Sequence, residues 1–298
     1  MDVLCVGHAS YDLVFAVGHH PDADEKIFAE KFISCGGGPA ANAAVTVSRL
    51  GLKSAFAGYL GDDFYGQRHL EELIQAAVNT DLVIRGHSPT PLSAILVKPD
   101  GQRTVVNYKG ETAPLPADSM DLSKWRPHVV LFDGHEPEVS LALMEAIEGR
   151  GISTVLDAGS VHRGSLKLLE QVDYAVVSQK FARECTGKED PQQAALKLNQ
   201  YCSAVVVTLG EAGLVWRNAA GSGSLPAYSI DAVDTTGAGD AFHGAFTAGL
   251  AYGKRWEELL TYASAVAALC CTKYGARPAI PTARGVATFL KKHQKNGN

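Results

Sequence analysis

The chain has no long run of lysine and arginine, no paired-cysteine motif, no apolar stretch of membrane-spanning length and no internal repeat. Each absence closes off a class of function. With 27 basic against 32 acidic residues and a formal net charge of -5, no surface is predicted that selects a nucleic acid or an anionic membrane. The six cysteines, at 5, 35, 185, 202, 270 and 271, form no Cys-x-x-Cys pair and sit mostly in apolar patterns. They read as reduced core thiols, which sets aside a zinc site or a disulfide framework. Residues 1–7 carry an acidic second residue and an apolar run too short for a signal sequence, so a cytoplasmic location is expected. What remains is a chain of 298 residues, 46% apolar, long enough for one large α/β domain and suited to a small-molecule partner.

The most informative stretch is Ala232-Val-Asp-Thr-Thr-Gly-Ala-Gly-Asp-Ala-Phe-His-Gly244. Gly237, Ala238 and Gly239 are small enough for backbone N–H groups to converge, and an alanine-rich helical pattern begins at once. That combination predicts an anion cradle at a helix N-terminus. A carboxylate beside such a cradle repels phosphate unless it has a task. The task chemistry offers Asp240 is to take a proton from a hydroxyl that attacks phosphorus. A tight glycine turn with Asp240 as its capping residue is the simpler alternative.

Taken in order, residues 3–6 predict a buried strand ending at Gly7, with Asp12 close to its carboxyl end. Ligand crevices of open parallel sheets lie there, so Asp12 is either a holder of substrate hydroxyls or a turn residue. Residues 26–34 alternate as a half-exposed strand does and lead into Cys35-Gly-Gly-Gly-Pro-Ala-Ala-Asn42, which opens a helix over 40–50. Asn42, in its first turn, suits a polyol as well as it suits plain helix surface. Residues 93–97 and 103–107 flank a Pro-Asp-Gly turn and predict a hairpin. Together with 26–34, it predicts a small sheet, inserted at about 12–35 and 93–110, that covers the crevice as a lid. Asn107 and Lys109 are either substrate-facing or solvent-facing at its end. From 129 onward, short buried strands at 129–132, 153–156, 173–177 and 205–209 alternate with helices, predicting a mostly parallel sheet covered on both faces. Thr208, Gly210 and Gly213 mark either a turn that a nucleotide phosphate or ribose approaches or a plain glycine turn between two strands. Residues 218–224 read as a flexible turn, 257–271 as a small-residue helix and 291–298 as a mobile polar tail.

With these residues in view, the chain resembles the ribokinase/PfkB family of carbohydrate kinases over nearly its whole length. Gly37-Gly-Pro-Ala-Ala-Asn42 is similar to the family's first signature and Asp234-Thr-Thr-Gly-Ala-Gly-Asp240 to its second. The resemblance implies a ribokinase-like α/β fold with a β-sheet lid, and an ATP-dependent kinase that phosphorylates a primary hydroxyl of a small carbohydrate. It makes Asp240 the catalytic base, and Gly237, Ala238 and Gly239 the anion hole. Asp12, Gly38 and Asn42 become substrate contacts, with Lys26 and Asn107 from the lid. It puts Thr208 and Gly210 at the nucleotide, Asp234 and Thr236 at a monovalent cation such as K+, and Mg2+ alongside ATP. Separately, the exposed edges of so small a lid sheet predict a homodimer through the lid. One segment departs from the family pattern. Many members carry Asn-x-x-Glu where this chain has Ser178-Gln-Lys-Phe181, which removes the usual help in organising magnesium, and Glu184 is out of register. Residues 242–244 and 271–281 look most like sulfofructose-kinase-like members, with ketohexokinase-like members sharing the departure, so a ketose or an acidic sugar derivative is the expected acceptor. The rivals are a nucleoside kinase, which would need an aromatic or apolar lid, and a non-catalytic sugar sensor, which would have no use for Asp240.

Overall fold

The computed structural model describes residues 1–121 and 124–295. In chain order its strands are β1 (Val3–Val6), β2 (Ser10–Ala16), β3 (Lys31–Gly37), β4 (Ser54–Gly61), β5 (Asn79–Gly86), β6 (Leu92–Val97), β7 (Arg103–Tyr108), β8 (Val129–Phe132), β9 (Ser153–Ala158), β10 (Tyr174–Ser178), β11 (Ala204–Thr208), β12 (Leu214–Asn218) and β13 (Gly221–Leu225). The helices are α1 (Pro39–Arg49), α2 (Phe64–Gln75), α3 (Pro137–Ile147), α4 (Arg163–Leu169), α5 (Gln179–Thr186), α6 (Pro191–Leu198), α7 (Ala238–Ala251), α8 (Trp256–Cys270), α9 (Ala276–Ala279) and α10 (Ala283–Lys295).

Nine strands form one sheet in the order β13-β12-β11-β10-β9-β8-β1-β4-β5. It is parallel from β5 to β11 and antiparallel at the β12 and β13 edge. This is the ribokinase-like α/β architecture, with a second sheet of four strands, β3-β2-β6-β7, over its crevice. β1 pairs in parallel with β4 on one side and β8 on the other, so the chain leaves in opposite directions at its carboxyl end. The crevice opens at that reversal. No helix among the described residues is long and apolar enough to cross a membrane.

The short Val/Leu-rich strands are buried on both faces because helices cover both. On one side Val3, Phe56 and Leu131 pack with the small side chains of α1, α7 and α8; on the other Leu4, Phe132 and Leu156 pack with α3 to α6. Small residues decide how close α1 and α7 come. A Cβ on Gly244 would lie 2.7 Å from the Ala43 carbonyl oxygen and from Thr46 Cβ, so only glycine permits this approach. The approach carries the first turn of α1 to the first turn of α7, where the two signature motifs lie.

Several local expectations change. Asp12 is not in a loop after β1 but inside lid strand β2, paired with Cys35 and Ser93. The lid strand expected at 26–34 runs instead from Lys31 to Gly37, because pairing with β2 begins at Ala16 opposite Lys31. Lys26 therefore lies outside it, exposed, with its Nζ 5.9 Å from the Phe28 ring centroid. The expected flexible turn at 218–224 is a hairpin whose return strand, β13, pairs antiparallel with β12. The tail is helical as far as Lys295, and residues 296–298 lie outside the described ones.

Candidate active site

Asp240 stands in the first turn of α7, behind the left-handed Gly237 at the helix N-cap. The first helical bond of this end is Ala241 N–H to the Gly237 carbonyl at 2.8 Å. The amides of Gly239 and Asp240 precede it, as the unsatisfied donors of a helix start do. Ala238 spends its N–H on the Thr235 carbonyl at 3.3 Å. A Cβ on Gly239 would meet nothing within 4 Å, so the cradle opens to the crevice there.

Asn42 reaches Asp240 from α1: its Nδ2 donates to Oδ2 at 2.8 Å. Arg277 determines which way the amide faces. Its Nη2 donates to Asn42 Oδ1 at 3.3 Å and to His69 Nε2 at 2.8 Å, and its Nη1 donates to Glu72 Oε2 at 3.4 Å. The same Glu72 oxygen accepts the Gly36 N–H at 2.8 Å. Arg277 is 3% exposed, and burial with that cationic neighbour holds His69 well below the usual imidazole range. The glycine run next to it is a packing requirement. A Cβ at Gly36 would sit 1.9 Å from Arg277 Nη1, and one at Gly37 2.2 Å from Asp12 Oδ2.

Asp12 is buried and accepts from Ser10 Oγ at 3.0 Å. Burial pushes its carboxyl up to about 6, with Asp240 adding to the effect and Ser10, Ser93 and Arg277 opposing it. Gly38, at φ 92, caps α1 beside the backbone of His8 and Ala9. The structure thus gathers Asp12, Gly38, Asn42 and Asp240 at one place. Lys26 is exposed outside the lid strands, whereas Asn107, exposed on β7, lies opposite Ser93, itself opposite Asp12, and so shares the lid face of Asp12.

Three groups that local sequence did not reveal complete the surroundings. Asp133 ties the ends of β1 and β8 to α1 by accepting N–H bonds from His8 at 2.7 Å, Ala40 at 3.2 Å and His135 at 2.9 Å. His243, four residues beyond Gly239, places Nδ1 2.6 Å from the Gly239 carbonyl and Nε2 3.0 Å from that of Val176. Its Nε2 is also 3.3 Å from Asp157 Oδ1, and burial pushes Asp157 up to about 7. The only local hint was that these side chains end strands or follow the second motif.

On the nucleotide side, Thr208 ends β11 with its hydroxyl donating to the Val177 carbonyl at 3.3 Å. Gly210 and Gly213 bracket a single 3-10 turn at positive φ. Ser178 caps α5, accepting from Phe181 N at 3.0 Å and donating to the Gly159 carbonyl at 2.8 Å. Glu184 faces Lys180 at 4.0 Å. Among the described residues no three His, Cys, Asp or Glu side chains converge as a metal-ion group. The monovalent-cation position differs. Asp234 is fully buried, has no ion-pair partner among the described residues, and accepts N–H bonds from Thr236 and Gly275, each at 2.8 Å. Thr236 Oγ1 beside it is buried with no partner, and that donor set fits a monovalent cation.

Comparison with known proteins gives the family. The model of the pfkB family carbohydrate kinases matches residues 1–283. A ribokinase of Lactococcus lactis is 29% identical over 300 residues, covering 99% of this chain and 98% of its own. Fructokinase-2 of Zea mays is 29% identical over 290 residues, covering 88% and 87%. The structure of Arabidopsis thaliana ribokinase complexed with ribose and ATP superposes with a TM-score of 0.83 at 26% identity, covering 97% of this chain and 98% of that one. These relatives are named ribokinase and fructokinase, so the narrower likeness to sulfofructose and ketohexose kinases gives way to the family as a whole. The chain belongs to the pfkB family of carbohydrate kinases and is an ATP-dependent carbohydrate kinase.

Proposed function

We propose that the protein transfers the γ-phosphoryl group of ATP to a primary hydroxyl of a small sugar or sugar derivative, with Asp240 as the general base. The observation that carries this reading is the contact between the two motifs: Asn42 holds one oxygen of Asp240 at 2.8 Å and leaves the other for a hydroxyl proton. Asp12 and Asn42 position the sugar, and the α7 amides meet the negative charge of the transferring group. Phosphoryl transfer asks little covalent help of a protein, so positioning and electrostatics suffice. Thr208, Gly210 and Gly213 flank the nucleotide. Magnesium enters with the ATP phosphates, as it does where a protein supplies few ligands. Asp234 and Thr236 would hold a monovalent cation, which would supply positive charge beside the loop that carries the cradle.

An ATP-consumption screen across ketoses, aldoses, sugar acids, sulfosugars and nucleosides tests the acceptor class. Turnover confined to nucleosides overturns the reading. The protein also pairs with a second copy through the lid, whose outer face exposes Phe32, Val106 and Tyr108 at 58%, 66% and 57%. A monomer by light scattering at micromolar concentration contradicts that pairing.

A further inference from the structure

Beside the Asp12–Asn42–Asp240 group, three imidazoles gather where β1, β8 and β9 end. His8 and His135 have ring centroids 5.1 Å apart, and His135 stacks on His162 at 4.7 Å with 24° between the planes. The stack depends on Gly134, since a Cβ there would lie 2.8 Å from His162 Cε1. The cluster borders the same crevice as Asp240. Asp133 accepts the backbone N–H groups of His8, His135 and Ala40, and two residues past Ala40 is Asn42, which bonds Asp240.

His162 caps α4 by accepting the Ser165 N–H on Nδ1 at 3.3 Å, which leaves its ring proton on Nε2 as a donor. The rings of His8 and His135 make no hydrogen bond among the described residues, and all three histidines are only partly covered. Lys109, just past lid strand β7, acts electrostatically on His8, Glu136 and His162 but has no carboxylate within ion-pair distance among the described residues. Two acids border the group: Asp133 accepts three backbone N–H bonds and raises the proton affinity of His8 and His162, and Glu136 accepts from Leu115 N at 2.6 Å while burial pushes it up to about 7. Burial and the His135 neighbour push His8 down to about 3, against the opposing pull of Asp133.

We propose that His8, His135, His162 and Lys109 form a subsite for an oxyanion on the acceptor, so that the substrate is a monosaccharide bearing a carboxylate or a phosphate monoester away from its reacting hydroxyl. This rests on the kinase reading above and narrows its substrate class. A neutral sugar leaves the ammonium and the donors unpaired, whereas an oxyanion takes charge-assisted bonds from them. Two such bonds favour the anionic acceptor over its neutral counterpart by roughly ten- to a hundredfold.

Two measurements on the full chain test it. Calorimetric binding without ATP compares ribose with ribose 1-phosphate, fructose with fructose 1-phosphate, and glucose with gluconate and 2-ketogluconate. Coupled ATP-consumption assays compare kcat/KM over the same pairs, and the phosphate and carboxylate arms distinguish the two sources of negative charge. At least one anionic member binds and reacts at least tenfold better than its neutral counterpart. In His135→Gln and Lys109→Gln that ratio falls at least fivefold, with ATP affinity reporting that the variants are folded. Neutral sugars binding as well as or better than every anionic counterpart overturns the subsite. So does a preference for the anionic members that survives both substitutions. Preferential anion binding with no ATP consumed on any acceptor leaves the subsite standing and overturns the kinase reading instead.

Discussion

Arg277 fixes the orientation of Asn42. A guanidinium only donates, so the amide must turn Oδ1 toward it, and the 3.3 Å contact leaves Nδ2 facing Asp240 at 2.8 Å. A flipped amide would set its oxygen against the carboxylate of the base. Arg277→Met therefore lowers kcat by roughly tenfold or more, with the KM for ATP little changed, and Arg277→Lys recovers part of the loss. Because Glu72 and His69 lose a buried partner, stability also falls by about 3 kcal/mol. Steady-state kinetics on the folded fraction measure this. An unchanged kcat in Arg277→Met removes the positioning role.

Asp12 titrates in the working range. Its carboxyl, raised by burial to about 6, accepts sugar hydroxyls when ionised and loses that capacity as pH falls. The KM for the acceptor is expected to be flat above about pH 7 and to rise below about pH 6, approaching tenfold per unit. Initial rates between pH 5 and 8 report it, and a KM that does not vary with pH contradicts it.

Glu136 makes stability fall as pH rises. Burial raises its carboxyl from 4.5 to about 7, so the folded protein holds this proton where the unfolded chain has released it. Its stabilising contribution is present in full below the unfolded value and is lost as pH climbs through about 7, on the order of 3 kcal/mol in all. Glu136→Gln keeps an acceptor for the Leu115 N–H and cannot ionise. The wild-type Tm then falls relative to that variant between pH 5 and 8, whereas parallel Tm curves exclude the effect.

Arg103 latches the lid to the second motif. Its Nη1 donates to Thr235 Oγ1 at 2.6 Å, and that hydroxyl donates to the Gly101 carbonyl at 3.2 Å. A loosened lid admits water to the reacting phosphate. In Arg103→Ala, ATP hydrolysis without sugar rises several-fold relative to sugar phosphorylation. A ratio equal to that of the wild type shows that this contact does not govern access.

The two glycine motifs and the strand–helix alternation were legible because each is local: turn geometry, apolar periodicity and small-residue helices are written in consecutive residues. Asp240 stands out locally, whereas Asp12 and Asn42 are left open by their own surroundings and are singled out only by the resemblance; Asp12 belongs to lid strand β2, which nothing local distinguishes from a loop at its Ser10 start. β13 was missed because Gly221-Ser-Gly-Ser-Leu225 has no strand propensity and becomes a strand only by pairing with β12. Arg277, Glu72 and His69 come from α9 and α2, separated by about 200 residues, and the three imidazoles come from three strand ends. Such groups acquire meaning only through packing.

The central claim is that Asp240 removes the proton of the acceptor hydroxyl. Asp240→Asn retains the hydrogen-bonding shape but not the base, so ATP and sugar binding by calorimetry stay within a few-fold of the wild type while kcat falls by roughly 10²–10⁴. Near-normal turnover in Asp240→Asn would contradict it.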